Sequence, residues 1–323
     1  MAQIKIVNGN YRGKEVNGVF EYTKTWFPTG EAEGPGDGKV FVEIDGKERG
    51  VWIYKDQCEW SDQSMNAVVI TETPEEMKLR IKKRFNVMDL MSNGIVSGNL
   101  RSLIISGAAG IGKTYSLHQK LTGAADANKI EYSSINGKVS GIGLYTKLYE
   151  ARFSNCVMLI DDVDVFSDMD ILNILKAALD TGETRKICWS TASSYLDDMN
   201  IPREFEYEGT CVFITNVDVD RELEKSSKLA PHIAALVSRS VYLDLGVHTN
   251  EEIMVRVEDV IMSTSMLQKR GLKNSDVVEV LEWMKAHAAR LRNVSLRTAL
   301  YLADFVMTDR HNWKDIAEVT MLK

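Results

Sequence analysis

The stretch Ser102-Leu103-Ile104-Ile105-Ser106-Gly107-Ala108-Ala109-Gly110-Ile111-Gly112-Lys113-Thr114 decides how this chain is read. Its first five residues form the apolar run of a strand buried on both faces, and the next eight fit the spacing G-x-x-x-x-G-K-[ST] ahead of a helical pattern. Glycines at 107, 110 and 112 let the backbone curl closely enough for successive N–H groups to face one anion at a helix N-terminus. Lys113 adds a point charge for β- and γ-phosphates, and Thr114 a hydroxyl for Mg²⁺. A random chain of this length shows the pattern at roughly the one per cent level, and its position between strand and helix lowers that figure.

Outward from this loop, apolar runs alternate with helical stretches. They are IEYSS (130 to 134), CVMLID (156 to 161), CVFITN (211 to 216) and VYLDL (241 to 245), which with SLIIS (102 to 106) predict a five-stranded parallel sheet in an α/β fold. After Gly246 four helical patterns follow, near 250–264, 275–290, 295–308 and 311–321, the first opening on a Thr249…Glu252 capping box. CVMLID ends in Asp161-Asp162. Adjacent carboxylates at a strand end repel unless a cation compensates them, and a metal with a nucleotide is the natural one, so Asp161 is read as a Mg²⁺ ligand beside Thr114.

Residues 1 to about 65 read as a small β module. VFVEIDGKERGVWIYK places Val40, Val42 and Ile44 on one face, turns at Asp45-Gly46 and resumes with Val51 and Ile53, a hairpin signature. The glycine- and proline-rich stretch from Pro28 to Lys39 reads as a mobile loop. The module carries 8 basic and 11 acidic residues, a balance that points to a protein partner or neighbouring subunit rather than to naked phosphate. Thr73-Pro74-Glu75-Glu76 reads as a helix start running to about Met91, with Lys78, Arg80, Lys82, Lys83 and Arg84 on a solvated face. The expected division is a β module over 1–65, a linker helix over 66–100, a nucleotide-binding core over 101–247 and a helical lid over 248–323.

The whole chain has 323 residues, 39 basic and 46 acidic, net charge −7 and 44% hydrophobic residues. This acidic balance disfavours a protein that coats nucleic acid by bulk charge and leaves room for a local basic channel. No apolar run approaches the roughly 18 residues of a membrane span, and MAQIKIVNGN lacks the apolar segment of a secretory leader, so a soluble cytoplasmic protein is expected. Cys58, Cys156, Cys188 and Cys211 are scattered, which supports neither a zinc site nor a disulfide framework.

With the phosphate loop and the carboxylate strand in place, residues 100 to 310 resemble an AAA+ ATPase. The resemblance implies that Gly107, Ala108, Ala109, Gly110, Ile111, Gly112, Lys113 and Thr114 cradle ATP (Walker A), and that Asp161 completes the Mg²⁺ site (Walker B). Asn216, ending CVFITN, looks like the sensor 1 residue that positions the attacking water. Arg239, in Ser238-Arg239-Ser240, resembles the arginine that reaches a neighbouring subunit's γ-phosphate. Arg297, in Ser295-Leu296-Arg297, looks like sensor 2. Asp162 stands where most members carry a catalytic Glu; one methylene shorter, it implies slower hydrolysis or a differently held water. The pattern GLYTKLYE, LNILKAALD and SRS before VYLDL is also similar to AAA-family ATPases of tailed bacteriophages, which implies a host-cell cytoplasmic location. The N-terminal module loosely resembles small SH3-like or KOW-like barrels.

The AAA+ resemblance further implies a homo-oligomeric, hexameric ring whose pore is faced by the loop after the second core strand, here Ile135 to Gly141. Lys138 in that loop suits a phosphate backbone, so DNA through the pore is the expected polymer. Between Arg185 and Glu208, KICWS and FEYEG read as a hairpin with Trp189 and Tyr207 packed on the sheet. Such an insertion resembles those of both Holliday-junction motors and MoxR-type chaperones. The reading is therefore an Mg²⁺-dependent ATPase driving a DNA transaction; the alternative is a protein-remodelling chaperone whose client binds the N-terminal module.

Overall fold

The computed structural model describes residues 3–28, 34–44, 47–61, 72–161, 168–224 and 230–323. The chain divides into two compact units, Met1–Leu79 and Arg80–Lys323.

The first unit holds strands β1 (Gln3–Tyr11), β2 (Lys14–Trp26), β3 (Gly38–Ile44), β4 (Lys47–Ile53) and β5 (Cys58–Ser61), with a 3₁₀ turn at Lys55–Gln57. All pairings are antiparallel in the order β2-β3-β4-β1-β5, and β1 also pairs with β2, so four strands close on themselves as a small barrel. Closure reduces the exposed edges that an open sheet would present, leaving β5, which pairs with β1 alone among the described residues, at the margin. Ile4, Ile6, Val40, Val42, Val51 and Ile53 fill the interior. Alternation then turns Lys39, Phe41 and Glu43 to the outer face of β3. The hairpin expected around Val40 and Val51 is present, those two residues pairing across β3 and β4. The Asp45-Gly46 turn and part of the Pro28–Lys39 loop lie outside the described residues.

Helix α1 (Pro74–Val96) begins with the expected capping box: Thr73 N and Oγ1 donate to Glu76 Oε2 at 2.8 and 2.9 Å, and Glu76 N donates to Thr73 Oγ1 at 3.3 Å. It runs past Met91 because Ile95 extends the buried stripe of Ile81, Phe85 and Met88 by two further turns.

The second unit opens with β6 (Ser102–Ser106), α2 (Lys113–Asp126), β7 (Glu131–Asn136), α3 (Gly141–Glu150), β8 (Cys156–Asp161) and α4 (Met169–Ala178). There follow β9 (Lys186–Cys188), α5 (Ser194–Asp198), β10 (Glu204–Glu206), β11 (Thr210–Thr215), α6 (Val219–Glu224), α7 (Ala230–Val237) and β12 (Val241–Asp244). The five long-range strands form a parallel sheet in the order β12-β6-β11-β8-β7. Every residue of β6 and β8 is buried, which explains their unbroken apolar sequences. The β9–β10 hairpin forms as expected, with Ile187 opposite Phe205, and α5 occupies its tip. Tyr207 is fully buried, and Trp189 packs half-buried against Tyr145 with ring centres 5.8 Å apart.

Beyond β12 lie α8 (Asn250–Ser263), α9 (Asn274–His287), α10 (Leu296–Thr308) and α11 (Trp313–Met321), the four helices read from the sequence. The Thr249 capping box is present, Glu252 N donating to Thr249 Oγ1 at 3.2 Å and Thr249 N to Glu252 Oε2 at 2.9 Å. Among the described residues no helix is long and apolar enough to cross a membrane.

Candidate nucleotide-binding site

Strand β6 delivers the chain into a loop whose glycines adopt backbone conformations that side chains disfavour: Gly110 has φ +73° and Gly112 has φ +93°. Gly112 is the N-cap of α2 and offers no side chain to the helix. The first amides of α2 are thereby left for an anion. Lys113 is the first residue of that helix and is 96% shielded, being 4% exposed. Its ammonium donates to Gly107 O and Ala108 O at 2.7 Å each, and to Asn216 Oδ1 at 2.9 Å. A buried ammonium is costly unless its donors are matched, and here two loop carbonyls and a side-chain amide match all three.

The parallel register explains why Asn216 is there. Thr215 pairs with Ser106, and Ile214 with Asp161, so the C-terminal ends of β6, β8 and β11 finish level with one another. This places the phosphate loop, Asp161 and Asn216 along one sheet edge, the position at which open α/β sheets bind ligands. Ser106 Oγ donates to Val217 O at 2.8 Å, fastening β6 to the turn after Asn216. Asp161 is 5% exposed and Thr114 half-buried. A carboxylate and a hydroxyl are the hard oxygen donors that Mg²⁺ takes, so the pair fits the metal. Asp162 lies outside the described residues.

The lid reaches the same loop. Leu296 N donates to Gly110 O at 2.8 Å, and a Cβ on Gly110 would stand 2.6 Å from Ser295 Cβ. Ser295 is fully buried and caps α10, accepting from Thr298 N at 3.2 Å. Arg297, the next residue after that contact, is exposed on the first turn of α10 and makes no hydrogen bond or ion pair among the described residues. Arg239, between α7 and β12, is turned onto its own chain: Nη1 donates to Ala235 O at 2.9 Å and Nε faces Asp180 Oδ1 at 3.6 Å. Lys138 stands exposed in the turn after β7, beside Gly137 at φ +82°.

Two features escaped the sequence. One is the Ser295-Leu296 docking on Gly110. The other is that Arg80 and Arg84, read as solvated, are anchored. Arg80 donates to Gly246 O and to Glu252 Oε1, both at 2.8 Å, and Arg84 donates to Asp244 O and faces Asp244 Oδ2 at 3.6 Å. Their spacing of one helical turn puts both on one face of α1, which is the one sequence signal that could have marked a shared role. They grip the junction between sheet and lid, where a Cβ on Gly246, at φ +60°, would meet Arg84 Cζ at 2.9 Å. Burial pushes the Asp244 carboxyl up, but a 2.9 Å bond to His248, the Gly246 amide and Arg84 outweigh it and hold the carboxyl below its usual range.

No family model matches the chain. It is 65% identical over 318 residues to the uncharacterized 36.7 kDa protein in the nrdC-mobD intergenic region of Enterobacteria phage T4, covering 98% of this chain and 97% of that one. Among solved structures it is similar to a RuvB mutant of Thermotoga maritima, with 16% identity, TM-score 0.42 and coverage of 77% of this chain and 72% of that one. It is also similar to the Drosophila ORC bound to DNA, at 12% identity, TM-score 0.34 and coverage of 77% and 65%, and to C. elegans PCH-2, at 15%, 0.25, 73% and 61%. At 65% identity over almost its full length, the chain belongs to the family of the phage T4 protein.

Proposed function

We propose that the protein is an Mg²⁺-dependent ATPase that works as a homo-oligomeric ring, a hexamer, and drives a DNA transaction in the cytoplasm of a phage-infected host. The observation that carries this reading is the triple matching of Lys113 by Gly107 O, Ala108 O and Asn216 Oδ1. It brings the charge that meets the phosphates and the amide that orients water into direct contact. In this reading the open amides of α2 receive the phosphates and Lys113 exchanges a protein acceptor for a phosphate oxygen. Thr114 and Asp161 hold Mg²⁺, which when bound neutralises charge on the β- and γ-phosphates. Asn216 and Asp162 orient the attacking water, Arg297 meets the nucleotide from the lid, and Arg239 completes the site of a neighbouring subunit.

Support for DNA as the moved polymer is the exposure of Lys138 in the turn after β7, where repetition around a ring would line a pore with positive charge. The test is steady-state ATP hydrolysis with single-stranded DNA, duplex DNA or no polymer, repeated for Lys138→Ala. Stimulation by DNA that vanishes in the variant is expected; equal rates under all conditions would exclude the DNA reading. The second reading is a MoxR-type chaperone. Its support is at the tip of the β9–β10 hairpin, where Tyr195 and Met199 stand exposed as apolar side chains able to meet a polypeptide. Stimulation by unfolded protein and none by DNA would select it.

A further inference from the structure

We propose that Ser106 is a positioning residue for ATP hydrolysis, its buried hydroxyl holding the Val217 carbonyl so that Asn216 presents its amide to the attacking water. The inference rests on the ATPase reading and adds to it a residue that acts from behind the sheet.

Asn216 is exposed on the turn that leaves β11, one residue beyond the last pairing of that strand with β6. A carboxamide there goes where the backbone of the turn sends it. The next residue, Val217, is held at both of its backbone groups by side-chain hydroxyls: its N–H donates to Thr215 Oγ1 at 3.0 Å, and its carbonyl accepts from Ser106 Oγ at 2.8 Å. The first is the local bond a threonine makes to the amide two residues on. The second joins segments 111 residues apart and ties the turn to the strand that feeds the phosphate loop. Ser106 is wholly buried, and the backbone of β12 also ends on it, Leu245 N donating to Ser106 O at 2.9 Å.

Register sets the side from which Ser106 acts. Thr215 pairs with Ser106 and Ile214 with Asp161, so alternation turns both hydroxyls to the face opposite Asp161. Asn216, one residue on, meets Lys113 on the phosphate side. In the ATPase reading Lys113 exchanges a protein acceptor for a phosphate oxygen. The clamp on Val217 does not involve Lys113, and it holds the turn through that exchange. Behind Ser106 stands Tyr242 of β12, whose phenol hydrogen-bonds the serine hydroxyl. Burial, with the Asp220 and Asp244 carboxylates near it, pushes that phenol far above its ordinary range, so it keeps its proton and donates. The single Ser106 proton is thereby directed to Val217. A buried hydroxyl engaged on both sides cannot rotate without losing a partner.

The test measures single-turnover ATP hydrolysis and the affinity for a non-hydrolysable ATP analogue on the full-length protein. Ser106→Ala should slow hydrolysis by about 10²-fold, the scale of a 1 Å misplacement in a reacting site, with analogue affinity within about threefold of wild type. Ser106→Thr, which keeps the hydroxyl, should restore the rate. Thr215→Val keeps the shape and removes the other half of the clamp; it should slow hydrolysis in the same way, and it carries the test if Ser106→Ala does not fold. In an Asn216→Ala background, Ser106→Ala should cost nothing further, since the group it positions is gone. A second readout needs no turnover: the Asn216 carboxamide resonance of nucleotide-free protein labelled with ¹⁵N-asparagine should move in Ser106→Ala and return in Ser106→Thr. An unchanged rate in Ser106→Ala, an equal loss of rate and affinity, or a further slowing in the double variant would overturn the proposal. So would a carboxamide resonance that stays in place. A wild-type protein that hydrolyses no ATP would remove the ATPase reading and the kinetic role with it, whereas a displaced resonance in Ser106→Ala would still uphold the clamp on Asn216.

Discussion

Lys113 Nζ and Asn216 Oδ1 lie 2.9 Å apart, so the cation that begins α2 and the amide that follows β11 form one polar unit at the sheet edge. The unit gives the two side chains separable jobs. In the proposed ATPase, Lys113 would contribute to holding phosphate, whereas the amide would act only when water must be placed for attack. Asn216→Ala should therefore leave the affinity for a non-hydrolysable ATP analogue within about threefold and lower single-turnover hydrolysis by about 10²-fold, the scale for losing one positioned polar group in a reacting site. A matched loss of affinity and rate would show that the amide serves binding alone.

Gly110 is constrained twice, by its φ of +73° and by Ser295 Cβ 2.6 Å from where a side chain would begin. Gly110→Ala should lower stability by about 1–3 kcal/mol and weaken nucleotide binding, because the lid must move off the loop. Gly123→Ala serves as the control, since that helical glycine has nothing within 4 Å of its would-be Cβ and positive φ is absent. Thermal melting and analogue titration on both variants check the pair.

Arg239 provides the test of a shared site. Its contact with Asp180 is a 3.6 Å pairing of half-exposed groups and is worth little to stability. Arg239→Ala should preserve melting temperature and nucleotide affinity yet reduce turnover by about 10³-fold under assembling conditions. Asp180→Ala, which frees the arginine, should hydrolyse ATP at least as fast as wild type. Mixing Arg239→Ala with Lys113→Ala should restore part of the activity if the arginine acts on a neighbour.

Asp244 links stability to acidity. Its folded pKa lies below the usual value of 3.8 despite burial. The carboxylate therefore contributes stability above its unfolded pKa and loses that contribution as pH falls through the lower folded value. Asp244→Asn should be less stable than wild type at neutral pH and should show a shallower decline below about pH 4. Urea unfolding across that range measures both slopes.

Local chemistry made most of the core legible. Strands β6, β8 and β11 are buried on both faces, so their apolar runs announce themselves, and the capping boxes at Thr73 and Thr249 mark helix starts without tertiary context. What escaped were contacts between distant segments. No periodicity encodes that Leu296 bonds to Gly110, or that Arg80 and Arg84 reach Glu252 and Asp244.

The bond between Leu296 and Gly110 also imposes an order in time. A chain made from its N-terminus presents the phosphate loop long before the segment that closes on it exists, and domains fold as units during synthesis. A nascent or C-terminally truncated chain ending before Ser295 would carry a complete sheet with an uncovered loop. Until the start of α10 has been made, the Gly110 carbonyl lacks the Leu296 amide, so closure over the loop comes late in synthesis.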